Sequence, residues 1–145
     1  MSQRSDLELA IQLARVTARL VRKLRKYSGR QDFSLTEQAT MSLLEQHRQM
    51  LPSELAEAHH ISAQAVSQII NRLHRDQCIK KSPDRVDRRR TYISLSAKGR
   101  RLLEDIRKQR GIWLSGAIAE LLTQEEKKML PEATRIIEKL ASTMA

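Results

Sequence analysis

The sequence predicts a mainly α-helical chain with one small β-hairpin. Apolar residues recur at helical spacing in successive stretches, and Thr91–Leu95 alternates between the two faces of a strand. The 145 residues hold only four glycines and three prolines, with no low-complexity segment and no internal repeat. That length is one domain's worth, enough to bury a core.

The first helix runs from Leu7 to Lys26. Leu7, Ile11, Ala14, Ala18 and Val21 share one stripe, and Leu13, Leu20 and Leu24 widen it beyond what a small domain needs. Arg15, Arg19, Arg22 and Lys26 form a second stripe, which is either a solvated face or a cationic wall beside an anion pocket. The connection from Tyr27 to Asp32 contains Gly29. Ser34-Leu35-Thr36-Glu37 then offers a capping box for a helix carrying Ala39, Met41, Leu43 and Leu44.

Pro52 suits the first turn of a short helix over Ser53–Ile61. Ser62 stands where an N-cap is wanted, and Ala65, Val66, Ile69, Ile70 and Leu73 follow at helical spacing, so two helices meet at a tight turn. The outward face of the second helix carries Gln64, Ser67, Gln68, Asn71 and Arg72, side chains that hydrogen-bond base edges and phosphates. In isolation such a face is also an ordinary polar helix surface.

A hairpin comes next. Ile79 begins one strand, a Pro83-Asp84 turn signal interrupts, and Thr91–Leu95 places Ile93 and Leu95 on one face with Tyr92 and Ser94 on the other. Between Lys80 and Arg90 stand six cations (Lys80, Lys81, Arg85, Arg88, Arg89, Arg90) and two acids, Asp84 and Asp87. So strong a local field calls for a polyanion. Ser96 caps a second long helix from Leu102 through Trp113 to Leu122. Thr123-Gln124-Glu125-Glu126 opens a last helix with Leu130, Ala133, Ile136, Ile137 and Leu140.

The net charge of +10 points to an acidic partner, nucleic acid first. No apolar run approaches the ~20 residues that span a bilayer, and the N-terminus leads into an amphipathic pattern, so the expectation is a soluble, cytoplasmic protein without a membrane partner. The single cysteine, Cys78, agrees with a reducing compartment. Aromatic residues make up only 3%, which favours duplex over single-stranded nucleic acid, because the latter wants stacking platforms. His47, His59, His60 and His74 have no metal-ligand spacing, and there is no G-x-S-x-G, H-E-x-x-H or phosphate-binding glycine loop. Neither a catalytic constellation, a metal site nor a cofactor is expected.

The succession Pro52-Ser53-Glu54-Leu55-Ala56, Val66-Ser67-Gln68-Ile69-Ile70-Asn71-Arg72-Leu73, Asp84 to Arg90, and Ser94-Leu95-Ser96-Ala97-Lys98-Gly99 resembles the winged helix-turn-helix of the MarR family of bacterial transcriptional regulators. Leu35-Thr36, Gln38 and Leu43-Leu44 extend the similarity upstream. The resemblance implies a dimeric DNA-binding regulator, of repressor type, with a pocket between dimer helices and winged domain that takes aromatic acids or phenols. It places Asp87 and Arg89 on the hairpin-tip motif, in which the arginine enters the minor groove and the aspartate holds a neighbouring arginine. Arg90 replaces a small residue usual there, which leaves open which arginine inserts. Gln77 stands where the family commonly has a glycine in left-handed conformation, and Leu51 where a hydroxyl residue is usual. Cys78 takes a leucine-like position and is expected to be buried and unreactive.

The expected DNA-contacting residues are therefore Ser62, Gln64, Ala65, Ser67, Gln68 and Arg72 on the reading helix, and Lys80, Lys81, Arg85, Asp87, Arg88, Arg89 and Arg90 on the wing. Arg15, Arg19, Tyr27, Phe33 and Trp113 are candidates for the lining of an effector pocket. The expected division is an N-terminal dimerisation helix with its connection (1–32), a winged helix-turn-helix (33–99) and C-terminal dimerisation helices (100–145), intertwined as one domain. The apolar stripes at both chain ends lack a core of their own to cover, so they are expected to pack on a second copy in a two-fold homodimer. Two reading helices about 34 Å apart would then match a pseudo-palindromic duplex. The competing possibilities are an architectural protein that binds duplex DNA by charge alone, and an adaptor for acidic proteins.

Overall fold

A computed structural model describes residues 3–27 and 32–143. Its elements run α1 (Gln3–Tyr27), α2 (Leu35–Gln46), α3 (Pro52–His59), α4 (Ala63–Arg75), β1 (Ile79–Pro83), β2 (Thr91–Leu95), α5 (Ala97–Leu121) and α6 (Gln124–Thr143). The expected mainly helical fold with one hairpin is the one observed. Of the expected Tyr27–Asp32 connection, residues 28–31 with Gly29 lie outside the described residues.

The described residues form two compact units, one of α1 with the chain from Arg110 onward, the other the segment between them up to Gln109. The second unit holds the core. Met41 and Leu44 of α2, Leu55 of α3, Val66, Ile70 and Leu73 of α4, Ile93 of β2, and Leu102, Leu103 and Ile106 of α5 are buried together with Phe33 and Cys78. The early turns of α5 thus belong to this unit, because their apolar residues have a core to enter.

Two helix starts carry a full reciprocal capping box. Ser34 Oγ accepts from Glu37 N–H at 3.0 Å while Glu37 Oε1 accepts from Ser34 N–H at 2.9 Å, and Thr123 and Glu126 repeat the arrangement before α6. Leu51 has no side-chain acceptor to offer at the start of α3, but Glu54 Oε1 still accepts its N–H at 2.9 Å. α3 ends at His60, whose φ of 53° is left-handed, and Ile61 N–H returns to the Ala56 carbonyl at 3.1 Å. Gln77 does the same after α4, at φ 62°, and Cys78 N–H returns to the Leu73 carbonyl at 2.9 Å.

β1 and β2 pair antiparallel from Ile79↔Leu95 to Pro83↔Thr91. Met50 adds a bridge to the outer side of β2, exchanging 2.8 Å hydrogen bonds with Ile93 in both directions, so the hairpin is tied to the segment that enters α3.

In the first unit α1 buries no residue at all. Leu7 is 61% exposed and Ile11 59%, and on α6 Met129 is 69% exposed, with Ile136, Ile137 and Leu140 also open. Pro131 lies inside α6 and removes the N–H that would have met the Lys127 carbonyl, yet the helix runs on through it to Thr143.

Candidate nucleic-acid interface

α4 is positioned by its inner stripe and its ends. Val66, Ile70 and Leu73 are buried, Ser62 Oγ accepts the Ala65 N–H at 3.1 Å, and Gln77 turns the chain away behind it. A helix fixed in this way presents Gln64, Ser67, Gln68 and Asn71 outward, all exposed, with Ser62 exposed before them and Ala65 half-buried. Ala65 and Gln68 line a hollow of about 370 Å³ together with Ser34, Thr36, Glu37, Ile61 and Ile69. Sequence reasoning missed Thr36 and Ser34 as neighbours of this face, since only the packing of α2 beside α4 brings them there. On the other flank Ser67 and Asn71 meet Lys81 and Thr91 around a hollow of about 260 Å³ floored by Ile70 and Ile93. The polar helix face and the root of the hairpin are therefore one continuous surface.

The hairpin tip is held by its two aspartates. Asp87 Oδ1 accepts from the Arg89 backbone N–H at 3.1 Å and from Arg89 Nε at 3.4 Å, and the Asp87 carbonyl accepts the Arg90 N–H at 3.0 Å. Asp84 donates its N–H to the Arg90 carbonyl at 2.8 Å, and its Oδ1 accepts from Val86 N–H at 3.3 Å. Lys80, Lys81, Arg85, Arg88, Arg89 and Arg90 all remain exposed, and the Arg89 side chain is 93% accessible despite its aspartate. An ion pair so open to water is weak enough for a phosphate or a groove to displace.

Arg72 departs from the expected set. Its Nε donates to Asp76 Oδ2 at 3.0 Å, an Nη donates to the Asp32 carbonyl at 2.7 Å, and the guanidinium lies 5.2 Å from the centre of the Phe33 ring. Periodicity places it on the outward face, but its length lets it fold back and tie the segment before α2 to the end of α4. This three-way hold gives Arg72 a structural role within the helix-turn-helix.

Phe33, expected near an effector, is 5% exposed and sits in the core under Arg72. Tyr27 and Trp113 do meet: their rings stack with centroids 5.8 Å apart and planes 6° from parallel. Arg15 and Arg19 are exposed on α1. Cys78 is fully buried, and burial pushes its thiol pKa up, as its expected inert role requires. His59 Nε2 lies 2.9 Å from Thr40 Oγ1, whose hydroxyl is already donated to the Thr36 carbonyl at 2.8 Å. The imidazole of α3 is thereby linked to the α2 hydroxyl.

A short helix, a tight turn, a second helix with a polar outward face and a cationic hairpin behind it define a winged helix-turn-helix, a DNA-binding architecture of transcriptional regulators. A sequence model of the MarR family matches residues 31–90. An HTH-type transcriptional regulator of Mycobacterium tuberculosis is 26% identical over 133 residues, 92% of each chain. A crystallised Pseudomonas aeruginosa protein, proposed to be a transcriptional regulator, superposes with a TM-score of 0.82 at 28% identity over 94% of this chain and 96% of that one. A variant of S. aureus MepR bound to an oligodeoxyribonucleotide shares the fold, with a TM-score of 0.68 and 20% identity over 91% and 97% of the two chains. Over residues 31–90 the chain is thus similar to the MarR family, and over most of its length to HTH-type transcriptional regulators.

Proposed function

We propose that this regulator acts as a homodimer that binds a pseudo-palindromic duplex, with α4 of each copy in the major groove and the hairpin tip in the adjacent minor groove. Gln64, Ser67 and Gln68 read base edges, and Lys80, Lys81 and Arg85 hold phosphates. Arg89, with Asp87 setting the tip, is the arginine aimed at the minor groove, and Arg88 and Arg90 flank it. The observation that carries this reading is the continuity of the polar α4 face with the cationic hairpin through Ser67, Asn71, Lys81 and Thr91. The DNA-bound MepR variant, which has the same fold, supports it. The open apolar residues of α1 and α6 support the homodimer, for a second copy is the simplest cover for so much apolar surface.

Bound to a promoter, such a dimer represses by occupancy, in the cytoplasm where the duplex is. A small aromatic or anionic effector relieves repression through unequal affinity for the DNA-compatible and incompatible spacings of the two heads; a 100-fold difference is worth about 2.7 kcal/mol. Arg15, Arg19, Tyr27 and Trp113 remain its candidate contacts. Selection from a random duplex pool at about 150 mM salt tests the DNA reading, because non-specific electrostatic binding is weak there. An inverted repeat with half-sites about one helical turn apart is expected. Recovery of no sequence, with Gln68→Ala weakening specific and random duplexes equally, would replace it with architectural binding.

A further inference from the structure

The C-terminal half of α1 carries a charge pattern that the DNA interface does not use. After Glu8 the helix has no acidic residue, while Arg15, Arg19, Arg22, Lys23, Arg25 and Lys26 follow within it. Arg19, Arg22, Lys23 and Lys26 stand at i, i+3, i+4 and i+7, so they are mutual neighbours on one face, an arrangement in which like charges repel. Arg19, Arg22 and Lys23 are exposed and have no ion pair among the described residues. Cations in a last turn complement the helix dipole, which accounts for Arg25 and Lys26, but that effect fades within a turn and does not reach Arg19 or Arg22. With Tyr27 the four side chains line an open hollow of about 210 Å³ along the helix. Tyr27 closes its end as a ring stacked on Trp113 and 54% exposed.

We infer that this hollow on α1 is a binding site for a phosphate-bearing small molecule, with Arg19 and Arg22 forking onto phosphate oxygens, Lys23 and Lys26 adding point charge, and Tyr27 offering an aromatic edge. Guanidinium groups match phosphate bidentately, and four cations strung along one open groove suit an extended di- or triphosphate group better than a single carboxylate. The chemistry is shared by inorganic pyrophosphate and by a nucleoside triphosphate, in which a base would lie against Tyr27. The consequence for DNA rests on the ligand-responsive reading above; the site itself does not.

Calorimetric titration of the full chain, free of DNA and at about 150 mM salt, tests the site with sodium pyrophosphate and with ATP as probes. One pyrophosphate per chain is expected, weakened at least tenfold by the double change Arg22→Gln with Lys23→Gln and also by Arg19→Gln alone, but not by Lys127→Gln with Lys128→Gln on α6. ATP binding more tightly than pyrophosphate, with Tyr27→Ala bringing the two level, identifies a nucleotide; equal affinities identify the bare polyphosphate. Absence of binding, or binding that is lost instead with Arg88→Gln and Arg89→Gln at the hairpin tip, overturns the inference. So does a sedimentation profile in which the α1 changes alter the oligomer rather than ligand uptake, since the cations would then face acids of a second copy. Pyrophosphate failing to bind while benzoate still shifts DNA affinity sinks the site and leaves the ligand-responsive reading standing. Pyrophosphate binding without effect on DNA keeps the site and separates it from the control of DNA binding.

Discussion

Gly99 has no room for a side chain: a Cβ there would lie 2.1 Å from the Cys78 carbonyl oxygen and 2.8 Å from Leu95 Cδ1. The crowding arises because Ser96 sews α5 to the loop behind α4, donating its hydroxyl to the Gln77 carbonyl at 2.7 Å and accepting the Gly99 N–H at 2.9 Å. Gly99→Ala should therefore destabilise by about 1–3 kcal/mol, read as a lowered urea midpoint. Gln77→Gly should act in the opposite sense, stabilising by up to about 1 kcal/mol and raising the midpoint, because it removes the left-handed strain at φ 62°. His59 gives a pH signature. Burial lowers its pKa below the ordinary 6.5, so above that value both folded and unfolded chains are neutral there; below it the unfolded chain takes up the proton more readily. Stability should fall as pH drops through about 6.5 toward the lower folded value, and His59→Gln should flatten that limb when urea midpoints at about pH 7.5 and 5.5 are compared. The strain at Gln77 was legible through the family resemblance. The equal strain at His60 was not, since a histidine pair inside a helical pattern carries no turn signal.

Among the elements, the proposed reading gives α4 and the hairpin different work, and single changes should separate them. Lys81→Gln should weaken binding about equally on all duplexes and reduce the salt slope by about 1, whereas Gln68→Ala should cost roughly 1–3 kcal/mol on the preferred site alone, both measured by titration at several salt concentrations. The reading helix, its Ser62 cap and the hairpin were visible in the sequence because each rests on local chemistry: a capping hydroxyl, a 3.6-residue stripe, a two-residue alternation. Three features were not. Arg72 shares the outward period of Gln68 but folds back onto Asp76 and Phe33, a choice made by tertiary neighbours. Thr36 joins the α4 face only through the packing of α2, and Met50 clips β2 from a segment with no strand pattern.

For the whole molecule, the telling contrast is between a unit with a complete core and one whose α1 buries nothing. Breadth of apolar stripe was readable from the heptad-like spacing of Leu7, Ile11 and Ala14, but only coordinates show how much of it stays open within one chain. On the proposed homodimer, Ile137→Lys with Leu140→Lys should give a monomer by sedimentation, with operator affinity reduced roughly 100-fold or more, because each head would then bind without the other's effective concentration. The thermal midpoint of the unaltered protein should rise with protein concentration, as mass action requires. The way α4 is held has a further bearing on how such a regulator changes its targets. Its pose depends on an inward stripe, a serine before it and a backbone reversal after it, none of which involves Gln64, Ser67 or Gln68. If those three side chains read the duplex as proposed, new promoter preferences need only a few solvent-facing letters exchanged, with the scaffold beneath them left as it is.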